Sequence, residues 1–425
     1  MNSRERVIKA LNHEQPDRVP VDLGSTPVTG ISARALHRLR RAFNLEETRV
    51  KIHEPFQLLG YVDEDVRKTV GVDVVGLWSP KTTFGYENKG WKPWSLPDGT
   101  EVLVGEGFTV KVDENGDQLI FPQGDASVPP SGKLPKGGYY FDNLVRQEEI
   151  DEDNMNGRAD FADDFTAWSD EDLKYYQDTV NDIYKNTDYA IISNFCGASL
   201  GDASVIPGPG IKRTPGIRKV QDWLMAYYLY PEYLKEVYEY QVEVAIENLK
   251  LLKQVAGDKI QAVLVSGTDF GSQRAELISP DMFREFYKPY YKKVNDWIHN
   301  NTSWKTFYHI CGSIVRLLDD LVNAGVDILN PVQCSAVGMD PKFLKEKYGK
   351  KLVFWGGGID TQKTLPFGTP EEVKKEVLER LKIFSEGGGF IFNTIHNIQA
   401  PTPVENLLAM YEAVKEFNNM SYMQK

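Results

Sequence analysis

Two histidines and two cysteines, His309, Cys311, Cys334 and His396, have the side chains best suited to shared chemistry in this sequence. Imidazole nitrogen and thiolate sulfur are the ligands that zinc takes readily. An isolated His-x-Cys is ordinarily a strand-end histidine beside a buried thiol. Context changes that reading, because the chain holds only three cysteines and six histidines and these four follow three separate predicted strands. His13, His37, His53 and His299 fall instead in helices or ahead of the second strand, and Cys196 reads as a packed thiol. A zinc-bound thiol or hydroxyl is deprotonated near neutral pH, so the set suits methyl transfer to or from sulfur or oxygen. Ligands dispersed along the chain, rather than paired in CxxC motifs, suit a catalytic ion with an open position.

A second group comprises acidic and aromatic residues at strand ends. Asp269, within SGTDFGSQRAELISP, sits between Gly267 and Gly271 in a turn that exposes its carboxylate, and is the candidate acid or base. Its plainer role is that of a turn or capping aspartate. Asp22 and Asp360 are weaker candidates of the same kind for substrate contact. Trp78, Phe270 and Trp355 could form an apolar wall for a flat or methylated ligand, and each also suits a core position.

The elements that must position these residues alternate. Short apolar runs at 18–23, 72–77, 189–194, 261–266, 305–309, 326–329, 352–355 and 389–393 predict eight strands. Helical spacing separates the later ones, at 231–256, 280–300, 313–324, 370–385 and 403–417, several with proline in the first turn. Eight strands each followed by a helix predict an α/β fold, a (β/α)₈ TIM barrel, whose chemistry lies at the C-terminal ends of the strands. A doubly wound sheet is disfavoured because the GGG runs at 356–358 and 387–389 lack a phosphate-loop lysine. Residues 81–160 change character: alternating residues around Asp98-Gly99 and Asn115-Gly116 predict a β-rich insertion after strand two. The Pro/Gly-rich stretch that follows reads as a loop or lid. A short capped helix starting at Ser3 opens a chain read as one domain over 1–425.

Composition narrows the function. A net charge of -12 disfavours nucleic acid as a partner. No run of apolar residues is long enough for a membrane span, so a cytoplasmic location is expected, and sparse cysteines argue against disulfides.

Several phrases resemble the uroporphyrinogen decarboxylase-like superfamily, which includes cobamide-dependent methyltransferases: RERVIKALNHEQPDRVPVDL, ISPDMFREFYKPYYKKVNDWIH, FYHICGSIVRLLDDLVNAGVDILNPVQ, LVFWGGGIDTQ and APTPVENLLAMYEAV. True decarboxylases of this kind carry arginines soon after the first strand to hold porphyrinogen carboxylates. Here the stretch is VDLGSTPVTGISARAL, with Arg34 as the nearest arginine, which disfavours porphyrinogen. The resemblance to the zinc methyltransferases implies a His-x-Cys pair, matched by His309 and Cys311, and a later cysteine whose position is taken by His396. Cys334 stands close to where related cobalamin-independent methionine synthases place a carboxylate. The resemblance thus implies zinc and a methyltransferase working between a small methylated compound, thiol or folate and a corrinoid (cobalamin) on a partner protein. The alternatives are a metal-independent decarboxylase or lyase using Asp269, and a corrinoid- or porphyrin-binding accessory protein.

Overall fold

The computed structural model describes residues 1–423. Seven parallel strands form one curved sheet in the order Val74–Leu77, Ala190–Ser193, Ala262–Ser266, Lys305–His309, Ile328–Asn330, Val353–Trp355 and Phe390–Ile391. Residues 20–22 stand between its two edges. Val21 makes a parallel bridge to Phe392, and its carbonyl accepts the N–H of Asp73 at 2.8 Å. This first stave closes the barrel, and the seven strands are staves two to eight.

Side chains alternate along each stave. Val74, Ile192, Leu264, Phe307, Ile328, Val353 and Ile391 fill the lumen, while Ile191, Val263, Tyr308, Leu329 and Phe354 face the surrounding helices. One pleat further along the lumen face come His309 after Phe307 and Asn330 after Ile328. The alternation therefore carries the polar residues into the mouth.

The bottom of the lumen is closed by α1 (Ser3–Leu11), which packs Val7, Ala10 and Leu11 against the lumen side chains. Its N-cap is Asn2, one residue before the expected Ser3. Asn2 and Glu5 form a reciprocal capping box, and the Ser3 hydroxyl instead donates to Asp73 at 2.7 Å. Asp73 is fully buried and also accepts from Arg6 at 2.7 Å, from Arg18 at 2.8 and 2.9 Å, and from the Val21 N–H at 3.0 Å. One carboxylate thus ties α1, the first stave and the second together.

The insertion lies between the second and third staves. Hairpins form at both predicted turns, pairing Lys92–Ser95 with Glu101–Val104 and Val110–Val112 with Gln118–Ile120. The stretch read as a loop or lid adds two antiparallel strands, because backbone pairing of Gly132–Leu134 with Gln118–Ile120, and of Asp142–Asn143 with Gly132–Leu134, satisfies its polar groups. An unpredicted strand, Val50–Glu54, pairs in parallel with Glu101–Val104 and joins the insertion to the barrel's start. Among the described residues no helix is long and apolar enough to cross a membrane, and all three cysteines are free thiols.

Asp73→Asn should lower stability to urea by about 3 kcal/mol, since it leaves two arginines short of a buried counter-charge. Asp17→Asn, which removes a more exposed partner of Arg6, should cost about 1 kcal/mol. Equal midpoints for the two variants would contradict the role given to Asp73.

Candidate metal centre

The fifth stave ends at His309, whose side chain follows Phe307 into the mouth and is 3% exposed. The Asn330 amide fixes its protonation. Asn330 Nδ2 donates to the Trp355 carbonyl at 2.7 Å, which turns Oδ1 toward His309 Nδ1 at 2.6 Å. Nδ1 therefore carries the proton and Nε2 keeps its lone pair. Burial pushes the imidazole down to about 4, against the opposing effect of the Asn330 bond, so it is neutral at physiological pH.

Cys311 places its Sγ 3.3 Å from His309 Nε2. The turn that follows is set by Gly312, at φ +88°, where a Cβ would stand 2.3 Å from the Gly271 carbonyl carbon. Only glycine permits this approach of two backbones. It brings Asp269 against the turn, where its Oδ1 accepts the Cys311 N–H at 2.6 Å and lies 4.0 Å from His309 Nε2.

His396, beyond the eighth stave, completes the cluster. One ligand atom from each of His309, Cys311 and His396 lies within 4.8 Å of the others, and the two rings meet edge to face at 5.2 Å. Burial, with the neighbouring His309, holds His396 at about 4 as well. Its Nδ1 accepts the Asn397 N–H at 2.8 Å. If Nδ1 ligates, its lone pair leaves that contact; if Nε2 ligates, Nδ1 takes the proton. Either way the Asn397 contact must give way when a cation binds.

The electrostatics suit a cation. Burial, and then the charge of Asp269, push the Cys311 thiol well above its ordinary value. Asp269 presents 48% of its side chain to the mouth but is set deep within the protein, and desolvation raises its carboxyl despite the Cys311 N–H bond. Asp202, in the loop after the third stave, is pushed up to about 6 by burial, with the Asp269 charge adding to it. Among the described residues neither carboxylate pairs with a lysine or arginine. Two neutral imidazoles, a thiol and two carboxylates lacking a counter-charge fit zinc by donor type and by charge. The cluster borders a cavity of about 310 Å³ edged by Gly271, Gln273, Gln333 and Gln362.

Cys334 is not brought to this group. It packs against the core, and the charges nearest its thiol are Arg380, Glu376 and Asp340 of the outer helical layer. The expected set of four therefore becomes three, because the loop after the sixth stave turns Gln333 inward, to accept the Gly312 N–H at 2.6 Å, and Cys334 away. The aromatic wall also differs from expectation. Phe270 is 2% exposed and packs edge-on against Tyr287 and Phe283. Trp355, 1% exposed, donates its indole N–H to Asp22 Oδ2 at 2.9 Å, so both are buried in each other's service. Asp360 accepts the N–H groups of Gln362 and Lys363 as a turn aspartate. Trp78 does line a cavity, beside His53. Asp202, Asn330 and Gln333 were not singled out in the sequence. Asn330 leaves one trace, a polar residue at inward parity in an apolar strand.

Compared with known proteins, residues 145–417 match the family model for uroporphyrinogen decarboxylase (URO-D). The chain is 24% identical over 150 residues to the uroporphyrinogen decarboxylase of Coxiella burnetii, covering 33% of this chain and 38% of that one. It is 27% identical over 146 residues to the methylcobamide:CoM methyltransferase MtaA of Methanosarcina barkeri, again 33% of this chain and 38% of the relative. These matches span well under two thirds of either relative. A solved methyltransferase from Methanosarcina mazei shares the fold, with a TM-score of 0.54 at 17% identity over 98% of this chain and 99% of that one.

Asn330→Ala should leave the barrel folded but free the His309 ring. Zinc affinity, measured by chelator competition, should fall roughly ten- to a hundredfold. An unchanged affinity would remove Asn330 from the role of orienting His309.

Proposed function

The chain belongs to the uroporphyrinogen decarboxylase (URO-D) family, and from that premise we propose that it is a zinc-dependent methyltransferase, moving a methyl group between a small methylated compound, thiol or folate and a corrinoid carried by a partner protein. The observation that carries this reading is the meeting of His309, Cys311 and His396 from opposite parts of the barrel at one point. The similarity to a methylcobamide-dependent relative supports it. Porphyrinogen decarboxylation is less well supported: Arg34, the nearest candidate for a porphyrinogen carboxylate, is paired with Asp98 at 2.5 Å and lies over the Tyr139 ring, both in the insertion.

Zinc bound by these three residues would leave a fourth position for a substrate heteroatom and favour its deprotonated, nucleophilic form. The chain's own residues prepare that position. Asn330 keeps His309 Nε2 free of its proton, and the close turn at Gly312 holds Cys311 toward the imidazoles. Asp269, a carboxylate raised toward neutrality beside the cluster, is placed to take the proton that a substrate thiol or hydroxyl gives up.

Purified without chelator, the wild type should carry about one zinc per chain, and His309→Ala and Cys311→Ser should lose it while keeping the fold. Methyl transfer from free methylcobalamin to a thiol should be lost with the metal, and Asp269→Asn should slow turnover while zinc is retained. A metal-free preparation with full activity would refute the proposal. The pH dependence follows from the ligands. Both histidines are already neutral above about pH 5, since they titrate near 4, so only the Cys311 thiol must release a proton when zinc binds. Zinc affinity should therefore rise about tenfold per pH unit between roughly pH 5.5 and 8; a slope near two would show that a second ligand is protonated.

A further inference from the structure

A second cavity, of about 130 Å³, lies beyond the second and third staves, where the insertion meets the mouth. It has room for more than one water. His53, from the unpredicted Val50–Glu54 strand, lines it and is only 8% exposed, yet both of its ring nitrogens lack a hydrogen-bond partner. Its ring is held edge-on by Trp78 at 4.2 Å and by Tyr61 at 5.7 Å. Burial drives the imidazole down to about 3, so it is neutral, with one donor and one acceptor unmet.

Two more side chains of the lining are incomplete in one particular sense. Asn88 gives its amide N–H to the His53 carbonyl at 2.6 Å, and Asn194 gives its own to the Ser25 carbonyl at 2.9 Å. Each is left with a buried Oδ1 that has no donor. The Thr82 hydroxyl of the lining is also buried without a partner. Buried polar atoms in folded proteins nearly always have partners, so four such side chains around one cavity point to something that belongs there. Glu54 adds a carboxylate, which already accepts the N–H groups of Phe56 and Gln57 and the Thr83 hydroxyl. No arginine lines the cavity, and Lys81 is exposed at its edge. An anion is therefore poorly served and a hydrogen-bond donor well served. Trp78, Pro27 and Pro55 provide apolar surface.

We propose that this cavity binds an uncharged planar ring bearing hydroxyl groups, which donates to Asn88 and Asn194 Oδ1, meets a ring nitrogen of His53 and lies against Trp78. The site is separate from the metal ligands and needs no metal. The two regions nevertheless adjoin, because the charge of Asp202 raises both the Cys196 thiol in this cavity and the Cys311 thiol in the cluster.

Catechol, a small ring with two hydroxyls, is the probe. It is titrated into full-length protein carrying ¹⁵N-labelled histidine rings, once with EDTA and once zinc-loaded. Saturable binding is expected in both, with the His53 nitrogens moving to a single tautomer. His53→Phe keeps the aromatic packing and removes the unmet nitrogens, so it should melt no lower than the wild type yet bind catechol at least about tenfold more weakly, the worth of one hydrogen bond. Benzoate, the same ring with a carboxylate, should bind at least about tenfold more weakly than catechol. Unchanged catechol affinity in His53→Phe, His53 signals that stay still at saturation, or no saturable binding, as a cavity filled by water alone would give, would each overturn the assignment. If the variant fails to fold, the wild-type His53 signals decide. Binding that persists with EDTA keeps this result independent of the zinc reading.

Discussion

The structure depends on closing the barrel across residues 20–22. A parallel sheet of seven strands leaves two edges, and drawing those edges together closes the mouth in which His309, Cys311 and His396 of the fifth and eighth staves meet. The short first stave does this with few backbone bonds, which explains why so much side-chain chemistry is concentrated beside it. Asp73 anchors it to the second stave and to α1. On the other side, Asn393 donates to the Asp22 carbonyl at 3.0 Å, and Trp355 reaches across to the Asp22 carboxylate. Asp22, pushed up to about 6 by its burial, is better understood as part of this closure than as a group that meets substrate.

From that closure a chain of hydrogen bonds leads to the cluster. Asp22 accepts from the Trp355 indole; the Trp355 carbonyl accepts from Asn330; Asn330 accepts from His309. The same alternation that fills the lower lumen with aliphatic side chains delivers these polar ones above it. Rigid staves thus fix His309, while His396 stands on the loop beyond the eighth and keeps a local contact with Asn397 that a cation must compete for. One candidate ligand is preorganised and one is adjustable, a division that would suit a metal whose substrate position fills and empties.

Two kinds of polar group meet at the mouth. Around the cluster the carboxylates of Asp269 and Asp202 lack a counter-charge, a need that a divalent cation such as zinc would answer. Around His53 the unmet atoms are two amide oxygens, the Thr82 hydroxyl and a neutral imidazole, which call for an uncharged partner with donors instead. The Val50–Glu54 strand, which pairs with the insertion, supplies His53 and Glu54, and the insertion supplies Asn88, while the barrel proper supplies His309, Cys311 and His396.

The sequence by itself determined the barrel, because the spacing of eight short apolar runs and their helices depends only on local periodicity and chain length. It also singled out His309, Cys311, Cys334 and His396 as a group, since donor type and strand-end position are both readable along the chain, and three of the four meet. The insertion hairpins were legible for the same reason, through Asp98-Gly99 and Asn115-Gly116. Tertiary structure alone decided the rest. Whether Cys334 or Gln333 faces the mouth turns on the path of one loop, and neighbouring residues on such a loop have no periodicity to separate them. Phe270 and Trp355 sit at strand ends as expected, but which way a strand-end ring points depends on the partner that fills the opposite side. His53 and Asp202 acquired meaning only through neighbours distant in sequence, because burial and missing partners are properties of the packed molecule.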